Sequence, residues 1–318
     1  MDSDVSQKLF SSRRLAHANM FVSDYVKACD FYRNVFGFAE AYRQPDNLAS
    51  FLSNGNTYHD FALVDIRSKY AKAGQRPGLN HLAFEVDSEA NLVHAYKAAL
   101  AAGIQFIGPA DHDVAHSIYL KDPDGNEVEF YADVVENWEE ARKGIIVKQK
   151  PKWVPGETNV PDTRHLYNPN PNLKRLADTL IHGKRVTHMA LVTRDFAAMF
   201  RFYTEVAGLQ PFFSSRDGTS VLLAGTVSTG DIALIRDERV TPGLRHVGVE
   251  VWSEEDLRAA VEGVAEFGGK VVRDVNHASR HAVCVEDADG LVMQLYVNKD
   301  WTPGTIATAS SEDLPFLL

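Results

Sequence analysis

A chain of 318 residues with 45% hydrophobic side chains has ample material for a buried core and, at this length, divides by default into two domains. Its 43 Asp and Glu against 33 Lys and Arg give a net charge of −10, which argues against a nucleic-acid footprint and against docking on an anionic membrane. Two cysteines, Cys29 and Cys284, exclude a disulfide framework, and no apolar run approaches the roughly 20 residues that span a bilayer.

In chain order, LAHANMFV (15–22) reads as a strand, with Ser23 and Asp24 as capping residues for the helix that follows. Tyr25, Ala28, Cys29, Tyr32, Val35 and Phe36 recur there at helical spacing, and Gly37 stops the helix. Cys29 lies on the apolar face and reads as packing. ASFLSNG (49–55) and HDFALVDI (59–66) have strand composition. HLAFEV (81–86) is a further strand, Ser88 to Leu100 a helix closed by Gly103, and SIYLKD and NEVEFYAD pair across Pro123-Asp124-Gly125.

The stretch 151–174 is proline-rich and is expected to be an extended strap. Beyond it the chain repeats itself. DFYRNVFGF (30–38) returns as RFYTEVAGL (201–209) at an offset of 171; GLNHLAFEV (78–86) returns as GLRHVGVEV (243–251), and HSIYLKDPDG (116–125) as HAVCVEDADG (281–290), both at 165. One six-residue deletion in a loop accounts for the change. Ser253 begins a helix presenting Leu257, Val261, Val264 and Phe267. The tail after Asn298 shows no period and reads as a loosely packed terminus, with a cover over a site or an oligomer contact as the other reading. The pattern gives four βαβββ units, two per domain. The expected boundaries are a first domain at 1–135, a linker strap at 136–184 and a second domain with the tail at 185–318.

His17 and His81 occupy equivalent first strands of the two halves of the first copy. Alternation places His81, Ala83 and Glu85 on one face, and Glu127, Glu129 and Tyr131 on one face of the last strand. If the halves curl together, two imidazoles and a carboxylate converge, a donor set suited to a divalent iron with open positions. A lone strand histidine is usually a satisfied core residue; two at matching positions of a repeat reverse that reading.

With these residues in view, the sequence resembles the vicinal oxygen chelate superfamily, and within it the type I extradiol ring-cleavage dioxygenases of the catechol 2,3-dioxygenase kind. The helix end FYRNVFGF and DPDGNEVEFY are shared across the superfamily; the narrower resemblance rests on YHDFALVD and DHDVAHSIYLKDPDGNEVE. It implies an α+β fold of two tandem glyoxalase/bleomycin-resistance/dioxygenase domains, each an incomplete barrel. It implies Fe(II), with Mn(II) as a substitute, on His17, His81 and Glu129, the tyrosine spacing selecting Glu129 over Glu127. It implies His59 as acid–base residue, and His112 with Tyr119 as hydrogen-bonding groups for substrate and oxygen. Ala110, two before His112, departs from the pattern, and His116 rivals His112; for Tyr119 the plainer reading is a core aromatic.

In the second copy His17, His81 and His112 map to His188, His246 and His277. Glu129 maps to Gln294, Tyr119 to Cys284 and His59 to Gly230. The carboxylate and the proton-handling groups are gone, so this copy is expected to be structural and the first catalytic, the reverse of the order in many two-domain relatives. The expected activity is extradiol cleavage of catecholic or polyhydroxylated aromatic compounds with O2. A non-oxidative enzyme of the superfamily (a glyoxalase-like isomerase or thiol transferase) and a metal-dependent small-molecule binding protein are the rivals. The N-terminal MDSDVSQKLF lacks a signal peptide, so a cytoplasmic homo-oligomer acting on small molecules, without nucleic acid or membrane partners, is expected.

Overall fold

The computed structural model describes residues 8–147 and 150–318. The first copy consists of β1 (Ser12–Val22), α1 (Tyr25–Asn34), β2 (Glu40–Arg43), β3 (Ala49–Leu52) and β4 (Phe61–Asp65), then β5 (Gly78–Val86), α2 (Glu89–Ala101), β6 (Phe106–Asp111), β7 (Ala115–Lys121) and β8 (Glu127–Asp133). A short helix α3 (Trp138–Ala141) and strand β9 (Gly144–Ile145) follow. The second copy runs β10 (Gly183–Val192), α4 (Phe196–Arg201), β11 (Gln210–Ser214), β12 (Ser220–Ala224) and β13 (Ile232–Ile235), then β14 (Gly243–Val251), α5 (Glu254–Gly263), β15 (Lys270–Asn276), β16 (Arg280–Glu286), β17 (Val292–Asn298) and a final helix α6 (Pro303–Ile306). The strand-helix-three-strand order therefore occurs four times.

The strands form two open sheets, ordered β6-β7-β8-β5-β1-β4-β3-β2-β9 and β11-β12-β13-β10-β14-β17-β16-β15. In each, the first strands of the two half-units lie antiparallel at the centre, flanked by parallel partners (β4 and β8; β13 and β17). One face of each sheet packs on its helices through residues such as Met20, Leu82, Phe84 and Phe130, and Met189, Val247, Val249 and Leu295, all fully buried. The opposite, concave face is left to carry polar groups.

The copies join through reciprocal contacts. The Asp60 carboxylate accepts from Val186 N at 3.0 Å, and its repeat mate Asp231 accepts from Leu15 N at 2.6 Å. Burial raises both carboxyls to about 6. Tyr203 donates its hydroxyl to Asp122 at 3.0 Å, and Tyr32 to Asp287 at 3.4 Å. Backbone pairs follow the same symmetry: Phe10 N to Val206 O at 2.8 Å, and Ile181 N to Val35 O at 2.9 Å. The duplication is thus also the interface.

Three expectations need correction. The first helix ends at Asn34, capped by Asp24, so Val35 and Phe36 pack from the turn behind it. On α5 the buried face is Leu257, Ala260 and then Val264; Val261, one position past Ala260, falls on the outer side and is 46% exposed, and Phe267 is 48% exposed because the 3-10 turn at Val264–Phe267 rotates the apolar register. The tail is not loose: Leu314, Leu317 and Leu318 are buried against the second sheet, because main-chain oxygens there find buried donors. Residues 151–174 carry neither helix nor strand, as the prolines predict. Trp153 there stacks on His116 at 4.3 Å, and Asn159 donates to Glu89. His116, the rival of His112, is buried between Glu89 (2.7 Å) and Asp111 (3.4 Å) and ties β7 to α2 and the strap.

Candidate metal centre

Sheet register builds the centre. On β1 His17 lies opposite Ala83 of β5, and Ala83 lies opposite Glu129 of β8. A methyl group between two long side chains leaves room for them to meet above it. His81, two residues earlier on β5, projects from the same face. The result is a cluster in which one ligand atom from each of His17, His81 and Glu129 lies within 4.8 Å of the others. Both imidazole Nε2 atoms stand 3.1 Å from the same carboxylate oxygen, Glu129 Oε2. Among the described residues no other group of three such side chains converges in this way.

The electrostatics suit a cation. Burial alone would raise the Glu129 carboxyl, but hydrogen bonds from His17 and His81 overcome it and hold the group well below the usual range, as a carboxylate. Ser117 Oγ donates to the other oxygen, Glu129 Oε1, at 2.5 Å and fixes its orientation. Burial lowers His17, keeping its imidazole neutral and able to ligate. Two imidazoles and one anionic oxygen on one side of a point form a donor set that fits a divalent transition metal and leaves the far side open.

The far side is a cavity of about 240 Å³. His59 enters it from the loop before β4, its ring 4.0 Å from that of His17. Its Nδ1 lies 2.9 Å from the Tyr42 hydroxyl, while its Nε2 is buried without a hydrogen-bond partner. Desolvation, reinforced by His17, holds His59 well below its ordinary value, so it is neutral. His112, on the β6–β7 turn, places Nε2 2.9 Å from the Tyr119 hydroxyl. Burial, then the positive charge of Lys150, keeps His112 neutral; burial and the nearby Glu129 push the Tyr119 hydroxyl up, so it stays a donor. Five of the six sequence-derived residues, His59, His81, His112, Tyr119 and Glu129, therefore line one cavity, and the sixth, His17, lies behind its wall with its ring 4.0 Å from that of His59.

Several neighbours escaped sequence reading. Ser117 was legible, since alternation on β7 puts it on the face of Tyr119. Tyr42 and Tyr58 sit on or near elements too short to show a face. Arg142 and Lys150 come from the segment after β8, which carries no periodic signal.

The second copy repeats the register with different consequences. His188 lies opposite Gly248, and Gly248 opposite Gln294. A side-chain carbon on Gly248 would fall 2.0 Å from the His188 ring, so that ring rests where Ala83 has its methyl. Gln294 Oε1 accepts from His188 at 3.0 Å and from Arg280 Nη1 at 3.0 Å. Arg280, 2% exposed, replaces Ala115 of the first copy. The tail closes the centre: Leu318 O accepts from His246 Nε2 at 2.8 Å, and Leu317 O accepts from Arg280 at 2.9 Å. Among the described residues the His277 ring hydrogen-bonds with Ser279 and Thr308.

Comparison with known proteins agrees with this architecture. The chain is 25% identical over 242 residues to the catechol-2,3-dioxygenase of Bacillus subtilis (strain 168), covering 75% of each chain. Among solved structures it resembles the Mn(II)-bound glyoxalase from Novosphingobium aromaticivorans, with a TM-score of 0.65 at 15% identity, over 92% of this chain and 85% of that one. It also resembles the anaerobic substrate complex of homoprotocatechuate 2,3-dioxygenase from Brevibacterium fuscum, with a TM-score of 0.64 at 17% identity, over 94% and 84%. The family model of the Glyoxalase/Bleomycin resistance protein/Dioxygenase superfamily matches residues 14–130 and again 185–295, and the chain belongs to that superfamily.

Proposed function

We propose that this protein is an extradiol dioxygenase. It would cleave the ring of catecholic substrates with O2, using Fe(II), or Mn(II) as a substitute, held by His17, His81 and Glu129. The observation that carries the reading is the orphaned His59 Nε2, a buried neutral imidazole aimed into the cavity beside the His17 ring. Tyr42 holds the other nitrogen at 2.9 Å, so the ring is fixed with Nε2 left over on a residue that lines the cavity.

When bound, the metal supplies Lewis acidity that eases ionisation of two adjacent hydroxyls, and as iron it supplies redox chemistry with oxygen. The protein's own groups do the rest. In the tautomer that donates Nδ1–H to the Tyr42 oxygen, His59 Nε2 is a free base that takes a hydroxyl proton as the catechol enters. It returns the proton later as an acid. Tyr119 donates a hydrogen bond toward a substrate oxygen, with His112 fixing the hydroxyl's direction at 2.9 Å. Tyr58, fully buried against the His59 ring at 4.6 Å, keeps water from the inner wall.

The similarity to a catechol-2,3-dioxygenase supports the substrate class, and the pairing of His59 with Tyr119 supports oxygen chemistry over isomerisation. Protein loaded anaerobically with Fe(II) and then given catechol and air should consume one O2 per catechol, with the colour of a ring-opened semialdehyde appearing at the same rate. No oxygen uptake across a panel of catechols, with one metal bound per chain, would overturn the reading.

A further inference from the structure

The cavity holds two cations that the ring-cleavage reading does not use. Arg142 follows α3, outside both segments matched by the family model. It is 7% exposed and lines the cavity. Its Nη1 donates to His112 O, and its guanidinium stands 4.8 Å from the centre of the Tyr42 ring. Its Nε is buried with no hydrogen-bond partner, and no carboxylate among the described residues pairs with it. Lys150 lines the same cavity from an exposed position and likewise makes no hydrogen bond or ion pair among the described residues.

Elsewhere the chain satisfies such groups: Arg280, without a carboxylate, donates from Nε to Asn298 and from Nη1 to Gln294 and Leu317 O. Arg13, equally buried, pairs with Glu85 at 3.1 Å and Asp87 at 2.9 Å; Arg14 pairs with Glu85 at 3.2 Å. A buried guanidinium with neither an anion nor acceptors for most of its donors is costly, and its persistence beside a cavity points to an anion supplied from outside. The metal-bound catechol does not supply it. A divalent ion with Glu129 carries one positive charge, which a singly ionised catechol cancels. Glu127, the remaining acid of the lining, lies 4.0 Å from Lys72. The charges of Arg142 and Lys150 are left over. A role confined to holding His112 would explain Nη1 but leaves the Nε edge and Lys150 idle.

We propose that Arg142 and Lys150 form an anion subsite, so that the preferred substrate is a catechol bearing a carboxylate on the ring or on a short side chain. This rests on the ring-cleavage reading of the same cavity. Arg142 receives the carboxylate on its Nε–Nη2 edge, the two parallel donors that match a carboxylate in geometry, and Lys150 adds a point charge at the rim.

The test compares shape-matched pairs: 3,4-dihydroxybenzoate and 3,4-dihydroxyphenylacetate, each against its primary amide. Anaerobic calorimetry on the metal-loaded protein reads binding, and kcat/KM in air reads turnover. At least one acid should bind about 10-fold or more tightly than its amide, with the gain in KM rather than kcat. Arg142→Gln should bring the acid-to-amide ratio close to one, Lys150→Met should reduce it by a smaller factor, and Arg142→Lys should restore part of it. Because the ratio is taken within each variant, a general loss of fold or metal does not imitate the effect. Amides bound as well as acids would overturn the subsite while leaving ring cleavage standing. An acid preference that survives both Arg142→Gln and Lys150→Met would overturn the assignment to these residues. Selective binding of acids without any oxygen uptake would support the subsite and overturn the ring-cleavage reading instead.

Discussion

In the first copy Ala83 separates His17 from Glu129, and both reach over its methyl group to one point; in the second, Gly248 lets the His188 ring sink onto the backbone toward Gln294. Where the first copy has a carboxylate held as an anion by two imidazoles, the second has a neutral amide hydrogen-bonded to a buried guanidinium. Where the first opens on a cavity with an unpartnered His59 nitrogen, in the second Leu318 O takes the His246 Nε2 hydrogen bond, and the cavity of about 220 Å³ beside His188 is lined by Arg14, Arg185 and Arg280. The same sheet geometry therefore supports a centre that attracts a cation and one that already contains a positive charge. Retained histidines do not make a metal site; the charge around them and the partners that already hold their nitrogens decide.

The sharpest way to separate the two copies is through the proton handling proposed for His59, whose counterpart in the second copy is Gly230. His59→Phe keeps the ring volume and leaves the three ligands in place. Turnover of catechol should fall by about 10²–10⁴-fold while metal content stays near one per chain, since this is the usual contribution of a positioned acid–base group. Paired metal analysis and oxygen-electrode rates check it. Activity near that of the parent with metal bound would make His59 a structural residue.

A smaller effect probes the closed centre of the second copy. Burial pushes His246 down to about 3. The unfolded chain takes up this proton near 6.5, whereas the folded chain resists until about 3, so stability is lost as pH falls through that window. Between pH 7 and pH 5 this one group should cost about 2 kcal/mol, and His188, lowered by burial as well, acts with the same sign. Asp60 and Asp231, raised to about 6, act in the opposite sense, since the folded chain holds their protons more tightly as the solution acidifies. Denaturant titrations at pH 7 and pH 5 should therefore show the acid loss shrink by about 2 kcal/mol in His246→Gln relative to the parent. An unchanged difference would mean that the tail leaves His246 open to water.

The repeat, the four strand-helix units and the convergence of His17, His81 and a carboxylate of the last strand were legible because periodicity and offsets record which face a residue occupies; the choice of Glu129 over Glu127 came from resemblance. His59, His112 and Tyr119 were legible only through resemblance, since a loop histidine carries no periodic signal. The reciprocal Asp60 and Asp231 contacts went unread although both sit at the 171-residue offset, because a buried acid between domains looks like any loop aspartate. Arg280 in place of Ala115, and the insertion of the tail, depend on volume in three dimensions, which composition does not record. Arg142 and Lys150 were missed for a related reason: their segment was read as linker, whereas α3 and β9 fold it back beside the first sheet, where β9 pairs with β2.

The central claim is that one copy holds metal and the other does not. The direct measurement is metal content per folded chain in His81→Ala and in the double variant His188→Ala with His246→Ala, each loaded with Fe(II) under the same conditions and checked for fold by circular dichroism. The account predicts near-complete loss of iron in the first and one iron per chain, with ring cleavage intact, in the second. Parent-level iron in His81→Ala, or a loss of half the iron in the double variant with the fold intact, would contradict it.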